Sequence, residues 1–436
     1  MTNHRAPRRT PTTRPARTPY PCRRYARASS TGVLLALLVV ALTFVAPSRA
    51  ALARPLHVPE IGDARQATDA PPPAIGRRVL GYYVPYDTTS WASLEANAAT
   101  LTDVAAQWVT IDACGQLGSR DNRTLTQFAR SRGIRVFPSL LTSSASLNAR
   151  LLTDEPTTAR AIEGIVAYVE AEGYAGFDLD LEGVRPGDRD AYSAFVVRLA
   201  AALHERGKLL TLAIPPKAAE TSTGWAGAYD YAELGRHADL ITIMAYEFSG
   251  AFSGPGSVAP HDWVGRVLAY TTARIPPEKV LLGLAFYGHD WNTTGGGSRS
   301  LSYAQAAALA EFHGAPIVLD PVTQSATFRY RATVGAGPAP RTMPPDPNHE
   351  IGVREAPPCA VATPEPAPPS PPRPTPPAGT LQDHEVWLEE STAATARLKL
   401  AERYNVGGVA SWRLGLEGPD AWPALDAWRS GQPTPP

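Results

Sequence analysis

From Val79 onward, short apolar runs alternate with longer segments whose apolar residues recur every three or four positions. Eight runs read as strands. They are VLGYYVPY (79–86), QWVTIDA (107–113), IRVFPSLL (134–141), YAGFDLDLE (174–182), LLTLAIP (209–215), LITIMAYE (240–247), VLLGLAFY (280–287) and GGVASWRL (407–414). Between them, Ile162, Ile165, Val166 and Val169 fall at i, i+3, i+4 and i+7, which predicts a helix that ends before Gly173. Another helix is predicted from a cap at Asp188, with Tyr192, Phe195, Val196, Leu199 and Leu203 on one stripe. Near-continuous apolar strands alternating with helices imply a parallel sheet covered by helices. Eight such units between residues 78 and 430 fit an α/β fold, a (β/α)8 TIM barrel, better than an open sheet. The doubly wound alternative lacks a GxGxxG after its first strand.

One segment breaks the alternation. Residues 332–380 are Pro-rich and can continue neither helix nor ladder. They lie between strands seven and eight, flanked by the β-prone runs SATFRYR (325–331) and HEVWLEE (384–390). The expectation is a hairpin on the seventh βα loop with a disordered or polyproline excursion at its tip.

The ends and the composition narrow the setting. Residues 1–30 hold eight arginines and no acid, and an apolar run from Val33 to Ala46 and the small residues of PSRA follow. That is the layout of a signal peptide over 1–50, implying a secreted or cell-envelope protein. The apolar core is short of the ~20 residues of a membrane span, so the membrane would be met only through an uncleaved signal. Residues 51–77 read as a linker or N-terminal arm. Net charge is zero, which gives no reason to expect nucleic acid. Cys114 and Cys359 remain after the signal; whether they pair is open. No CxxC or HExxH spacing exists, so neither a metal site nor a cofactor is expected.

The run YAGFDLDLEGV (174–184) carries the candidate chemistry. On a strand, Asp178, Asp180 and Glu182 share one face, roughly 6.6 Å apart, with Phe177, Leu179 and Leu181 on the other. In a barrel the acid face points inward, and Glu182 comes last, at the C-terminal end where barrels place chemistry. A solvated edge strand would show the same pattern, but this run lies between two helix-period segments, where a central strand belongs. Burying neighbouring carboxylates costs several kcal/mol, a cost that suits keeping one of them protonated as a general acid.

In that frame GFDLDLEG resembles the strand-four signature DxxDxDxE of glycoside hydrolase family 18. MAYEFSG (244–250) is similar to the family's MxYD segment, and GVASWRLG (408–415) to its last strand. GYYVPYD (81–87), GPGSVAPHDWV (254–264) and HEVWLEES (384–391) resemble its bacterial peptidoglycan-directed, spore-cortex-lytic N-acetylglucosaminidase branch. The resemblance implies a monomeric hydrolase acting on a polysaccharide, peptidoglycan or a chitin-like polymer. It implies Glu182 as proton donor, Asp180 as the acid that orients the substrate's acetamido group, and Asp178 as the acid sharing its proton. Tyr246 would donate to the acetamide oxygen and Trp412 would floor the sugar. The sequence departs from the signature at Ala175, Leu181 and Glu247, which stand where an Asp, a Trp and an Asp are usual. A carbohydrate-binding wall protein of the same fold is the alternative that intact Glu182, Asp180 and Tyr246 argue against. Tyr82, Tyr83 and Tyr86 are sugar-stacking or packing candidates; Asp112, Tyr287 and Arg413 sit at strand ends, Arg413 also as a possible ion-pair partner; His261 and His289 read as loop histidines.

Overall fold

The computed structural model describes residues 76–333, 351–355, 359 and 379–432. The expected signal segment 1–50, nearly all of the expected 51–77 arm and most of the 332–380 stretch lie outside the described residues. Eight parallel strands form the barrel: β1 (Arg78–Tyr83), β2 (Asp103–Ile111), β3 (Arg135–Thr142), β4 (Gly176–Leu181), β5 (Leu209–Ile214), β6 (Leu240–Ile243), β7 (Val280–Ala285) and β8 (Gly408–Trp412). The sheet closes because β1 pairs with both β2 and β8. Helices cover it as the periodicity predicts. Glu155–Ala171 is followed by Gly173 at φ 67. Arg189–His204 buries the expected stripe of Tyr192, Phe195, Val196, Leu199 and Leu203. Asp188 is its N-cap residue but makes no side-chain cap bond, since a single 3-10 turn, Pro186–Asp188, leads in.

The bounds of β2 and β6 depart from the sequence reading where they bear on the site. β2 begins at Asp103 rather than Gln107, because that buried acid is paired with Arg135 at 2.5 Å and Arg78 at 3.4 Å. A compensated charge can open a strand that an apolar criterion starts late. β6 ends at Ile243, so Met244, Tyr246 and Glu247 leave the ladder and line the cleft.

The insertion is also larger than the expected hairpin. The sequence reading ran strand seven on to Tyr287, whereas β7 stops at Ala285 and Tyr287 opens a second sheet. This sheet is five-stranded and antiparallel, in the order Ser298–Ser302, Tyr287–Asn292, Leu381–Leu388, Ala326–Thr333, Val318–Leu319. The predicted hairpin is the pairing of Ala326–Thr333 with Leu381–Leu388 inside it. Alternate residues of Ala326–Thr333 are buried and pack with Val386 and Leu388 against Leu309 of the helix Tyr303–His313. The inserted sheet therefore begins at Tyr287, ahead of the expected hairpin, and has its own small core. Within the Pro-rich stretch, Ile351–Arg354 pairs antiparallel with Leu117–Asn122, the strand that folds back on β2. Cys359 and Cys114 form a disulfide. Among the described residues no helix is long and apolar enough to cross a membrane.

Candidate active site

The site begins with how tightly β4 is held. Gly176 lies so close to β5 that a Cβ there would fall 2.0 Å from the Leu209 carbonyl oxygen. At the other end Gly183 has φ 65, and a Cβ would meet the Ser143 carbonyl at 2.6 Å. Glu182 sits just before this turn, its carbonyl held by the Asn148 amide, while the Tyr229 hydroxyl donates to the Leu181 carbonyl at 2.6 Å. Phe177, Leu179 and Leu181 are wholly buried, which leaves the acids on the inner face.

The three acids occupy different environments. Asp178 is 0% exposed and lies in register with Ser139 of β3 and Thr211 of β5. Both hydroxyls donate to it, at 2.7 and 2.5 Å. Burial still prevails over these bonds and over the nearby Tyr82 hydroxyl, pushing its pKa up to about 6. Asp180 accepts from the Gln107 amide at 3.2 Å, and its other oxygen has no hydrogen-bond partner among the described residues. Burial, then the charges of Glu182 and Asp178, raise it well above the usual carboxylate range. Glu182, half-buried, is raised by burial and by Glu247. Tyr246 is 6% exposed, and burial among these acids keeps its hydroxyl protonated.

Asp180, Glu182, Tyr246, Glu247, Tyr287 and Trp412 line one cleft of about 1490 Å³. The inserted sheet and its helix contribute further lining, including Arg299, Tyr330 and His384. Trp412 is half-buried above Tyr82, with ring centroids 5.6 Å apart and planes at 61°. A cis peptide joins it to Arg413. Tyr82 also lines the cleft but is only 2% exposed, so its ring supports Trp412 more than it offers a stacking face. Tyr83 is buried against Trp108 and bonded to Asn122, whereas Tyr86 is 75% exposed on the cleft. Arg413 pairs with Asp87 at 2.6 Å, and Asp87 also caps the helix Thr88–Ala96. Asp112 is a turn residue, accepting the backbone N–H groups of Cys114 and Gln116 at 2.9 Å.

Glu247 is tied to the insertion. Its Oε1 accepts from the Tyr287 hydroxyl at 2.5 Å and from His289 Nε2 at 2.9 Å. Burial opposes its charge, yet these bonds and the imidazole more than offset it and hold Glu247 below its ordinary pKa. His289, read from sequence as a loop residue, is a buried member of the strand Tyr287–Asn292. The missed signal was the period-two series Tyr287, His289, Trp291.

A closed (β/α)8 barrel whose inner acid ladder ends in a half-buried glutamate, on the same cleft as Trp412, is the architecture of a barrel glycosidase. The chain belongs to the glycosyl hydrolases family 18, whose model matches residues 78–342. It is 23% identical over 353 residues to the uncharacterised glycosylase YvbX of Bacillus subtilis strain 168, covering 79% of this chain and 89% of that one. It is 28% identical over 284 residues to the cortical fragment-lytic enzyme of the same strain, covering 64% of this chain but only 55% of that enzyme. The chain thus spans about half the length of that relative. The chitinase of Chromobacterium violaceum ATCC 12472 superposes with a TM-score of 0.66 at 26% identity, over 82% of this chain and 100% of that one. The spore cortex-lytic enzyme SleL of Bacillus megaterium QM B1551 shares the fold, with a TM-score of 0.64 at 23% identity over 80% of this chain and 73% of that one. The protein is therefore a family 18 glycosidase related to both groups, and its substrate class is polysaccharide.

Proposed function

We propose that this glycosidase is exported, acts as a monomer, and cleaves β-1,4 bonds that follow an N-acetylhexosamine, with peptidoglycan as its polymer and with retention of configuration. Glu182 protonates the glycosidic oxygen while the acetamide oxygen of the bound sugar attacks the anomeric carbon. An oxazolinium forms in place of an enzyme-bound ester, and water then opens it with Glu182 as base. Asp180 accepts the acetamide N–H, Asp178 shares its proton, and Tyr246 donates to the acetamide oxygen. Trp412 lies under the apolar face of the sugar.

The observation that carries this reading is the Asp180 oxygen. It is buried beside the cleft with no donor among the described residues, and an incoming amide N–H would satisfy it. Burial and the Glu247 charge raise the pKa of Glu182, a shift in the direction a general acid needs. The cortical fragment-lytic relatives favour peptidoglycan, and chitin oligosaccharides are the second polymer to test. Export is supported by the basic and apolar N-terminal pattern and by the Cys114–Cys359 bond, which suits an oxidising compartment.

The test is release of reducing ends from purified peptidoglycan and from chitin oligomers by wild type and Glu182→Gln. The variant is expected to lose activity on the order of 10²–10⁴-fold. Equal release by both proteins would rule out Glu182 as the acid. Inhibition by a thiazoline mimic of the oxazolinium probes the acetamide route separately.

A further inference from the structure

Glu247 has φ 58, a left-handed conformation that a non-glycine residue keeps only where its surroundings hold it. Its carboxylate is held from two sides. Oε2 packs so closely on Gly250 that a Cβ there would fall 2.0 Å away. Oε1 takes hydrogen bonds from Tyr287 and His289 at 2.5 and 2.9 Å. The His289 ring is 3% exposed and lies between Tyr287 and Trp291, with centroids 5.6 and 5.2 Å away. Its Nδ1 is 3.5 Å from the Ser300 hydroxyl. Nε2 is therefore the ring nitrogen that donates to Glu247. The reaction described above gives His289 no part, although it is a buried titratable group one side chain away from the acids.

We propose that His289 is a positioning residue: with Tyr287 it clamps Glu247 beside Glu182, so that the inserted sheet fixes the charge next to the acid and with it the upper pH limit of turnover. This rests on Glu182 being the proton donor. The groups that bear on Glu182 are Asp180 on its own strand, Glu247 and Tyr246 after β6, and Tyr229. Those that bear on Glu247 are Glu182, Tyr246, Tyr287 and His289. Asp178 lies deeper in the ladder and acts through Asp180.

With its donors in place Glu247 stays ionised, and its charge helps Glu182 keep a proton to higher pH. Without His289, Glu247 moves and takes up a proton over the same range in which Glu182 releases one. The two then titrate as a pair, and Glu182 reaches half-protonation at lower pH.

The test is kcat/KM against pH for the whole protein on the polymer it turns over. The variants are His289→Ala, His289→Gln, Tyr287→Phe, Glu247→Gln and the double variant H289A/E247Q, with Glu182→Gln as control. The alkaline limb of H289A is expected to move down by about half a pH unit or more and to become shallower. H289Q, which keeps a donor, should restore most of the limb, and E247Q should add little in the H289A background. An H289A limb coincident with wild type, or additive shifts of H289A and E247Q, overturns the clamp while an inactive E182Q leaves the acid assignment standing. An active E182Q overturns that assignment and the clamp with it. Should H289A not fold, Y287F must lower the limb by itself, and an unmoved limb there overturns the clamp equally.

Discussion

Asp180 on β4 and Asp290 in the inserted sheet are about equally buried, 3% and 2% exposed, and they end in opposite states. Asp180 has one amide donor and two acidic neighbours, and is pushed well above the usual range. Asp290 takes bonds from the Tyr330 hydroxyl at 2.7 Å, His384 Nδ1 at 2.8 Å and Arg299 Nε at 3.0 Å. Burial opposes its charge too, but these donors win and hold it below the usual range. At equal burial the number of donors and the sign of the neighbouring charges separate these two acids. The barrel interior surrounds Asp180 with acidic neighbours and a single amide donor, and gives Asp178 only neutral hydroxyl donors. The inserted sheet surrounds its acid and uses it as a fastening, with Tyr330 stacked between His313 and His384 at 4.4 and 4.6 Å.

The strongest way to break this contrast is to remove each charge in turn. Asp180→Asn is expected to cut kcat on the order of 10²–10³-fold while circular dichroism and melting stay close to wild type. Asp290→Asn should do the reverse. It leaves Arg299, His384 and Tyr330 without their charged acceptor, a loss of about 3 kcal/mol in denaturant unfolding, with kcat changed less than about tenfold. A D290N protein that melts normally but is as inactive as D180N would erase the distinction.

A titration of stability sharpens it further. The folded pKa of Asp178, about 6, lies above its ordinary value of 3.8. Its contribution to stability is therefore complete below that unfolded value and is lost as pH rises through about 6. Asp290 and Glu247 have lowered pKa values, so their contributions are present above the unfolded values and are lost as pH falls. Relative to Asp178→Asn, the wild type should lose roughly 2–3 kcal/mol between pH 4 and 7. Parallel stability curves for the two proteins would contradict the assignment. The smallest effect is expected at the cleft rim, where Arg413→Lys should cost about 1 kcal/mol or less, because the Asp87–Arg413 pair is partly exposed.

The contrast also explains what the sequence made legible. Period-two and period-3.6 patterns located all eight barrel strands, because a parallel strand buried on both faces is apolar along its length. The ladder stood out for the opposite reason, since Asp178 and Asp180 are polar exceptions inside such a strand. The inserted sheet was hard to see. Its strands carry Asp290, Arg299 and His384, which satisfy one another across strands, His384 from 94 positions away, and His289, which is satisfied by Glu247 outside the sheet. The period-two series Tyr287, His289, Trp291 could have marked the strand, but not the partner of His289, since Glu247 lies 42 positions away. Asp103 was missed for the same reason, its partner Arg135 being 32 positions away.

The Cys114–Cys359 bond spans 245 positions and closes part of the chain into a covalent ring. β3 to β7 lie within that ring, as do Asp178, Asp180, Glu182, Tyr246, Glu247 and His289. β1, β2, β8 and the strand Leu381–Leu388 lie outside it, and Trp412 goes with them. A single backbone cut between residues 115 and 358 leaves one molecule on a non-reducing gel, and the pieces part only with a thiol. A cut between residues 360 and 380 releases β8 and its tryptophan from the covalent chain whatever the redox state. The acids and their clamp are thus secured twice by covalent bonds, whereas the aromatic floor depends on an uncut chain or on the barrel's own hydrogen bonds.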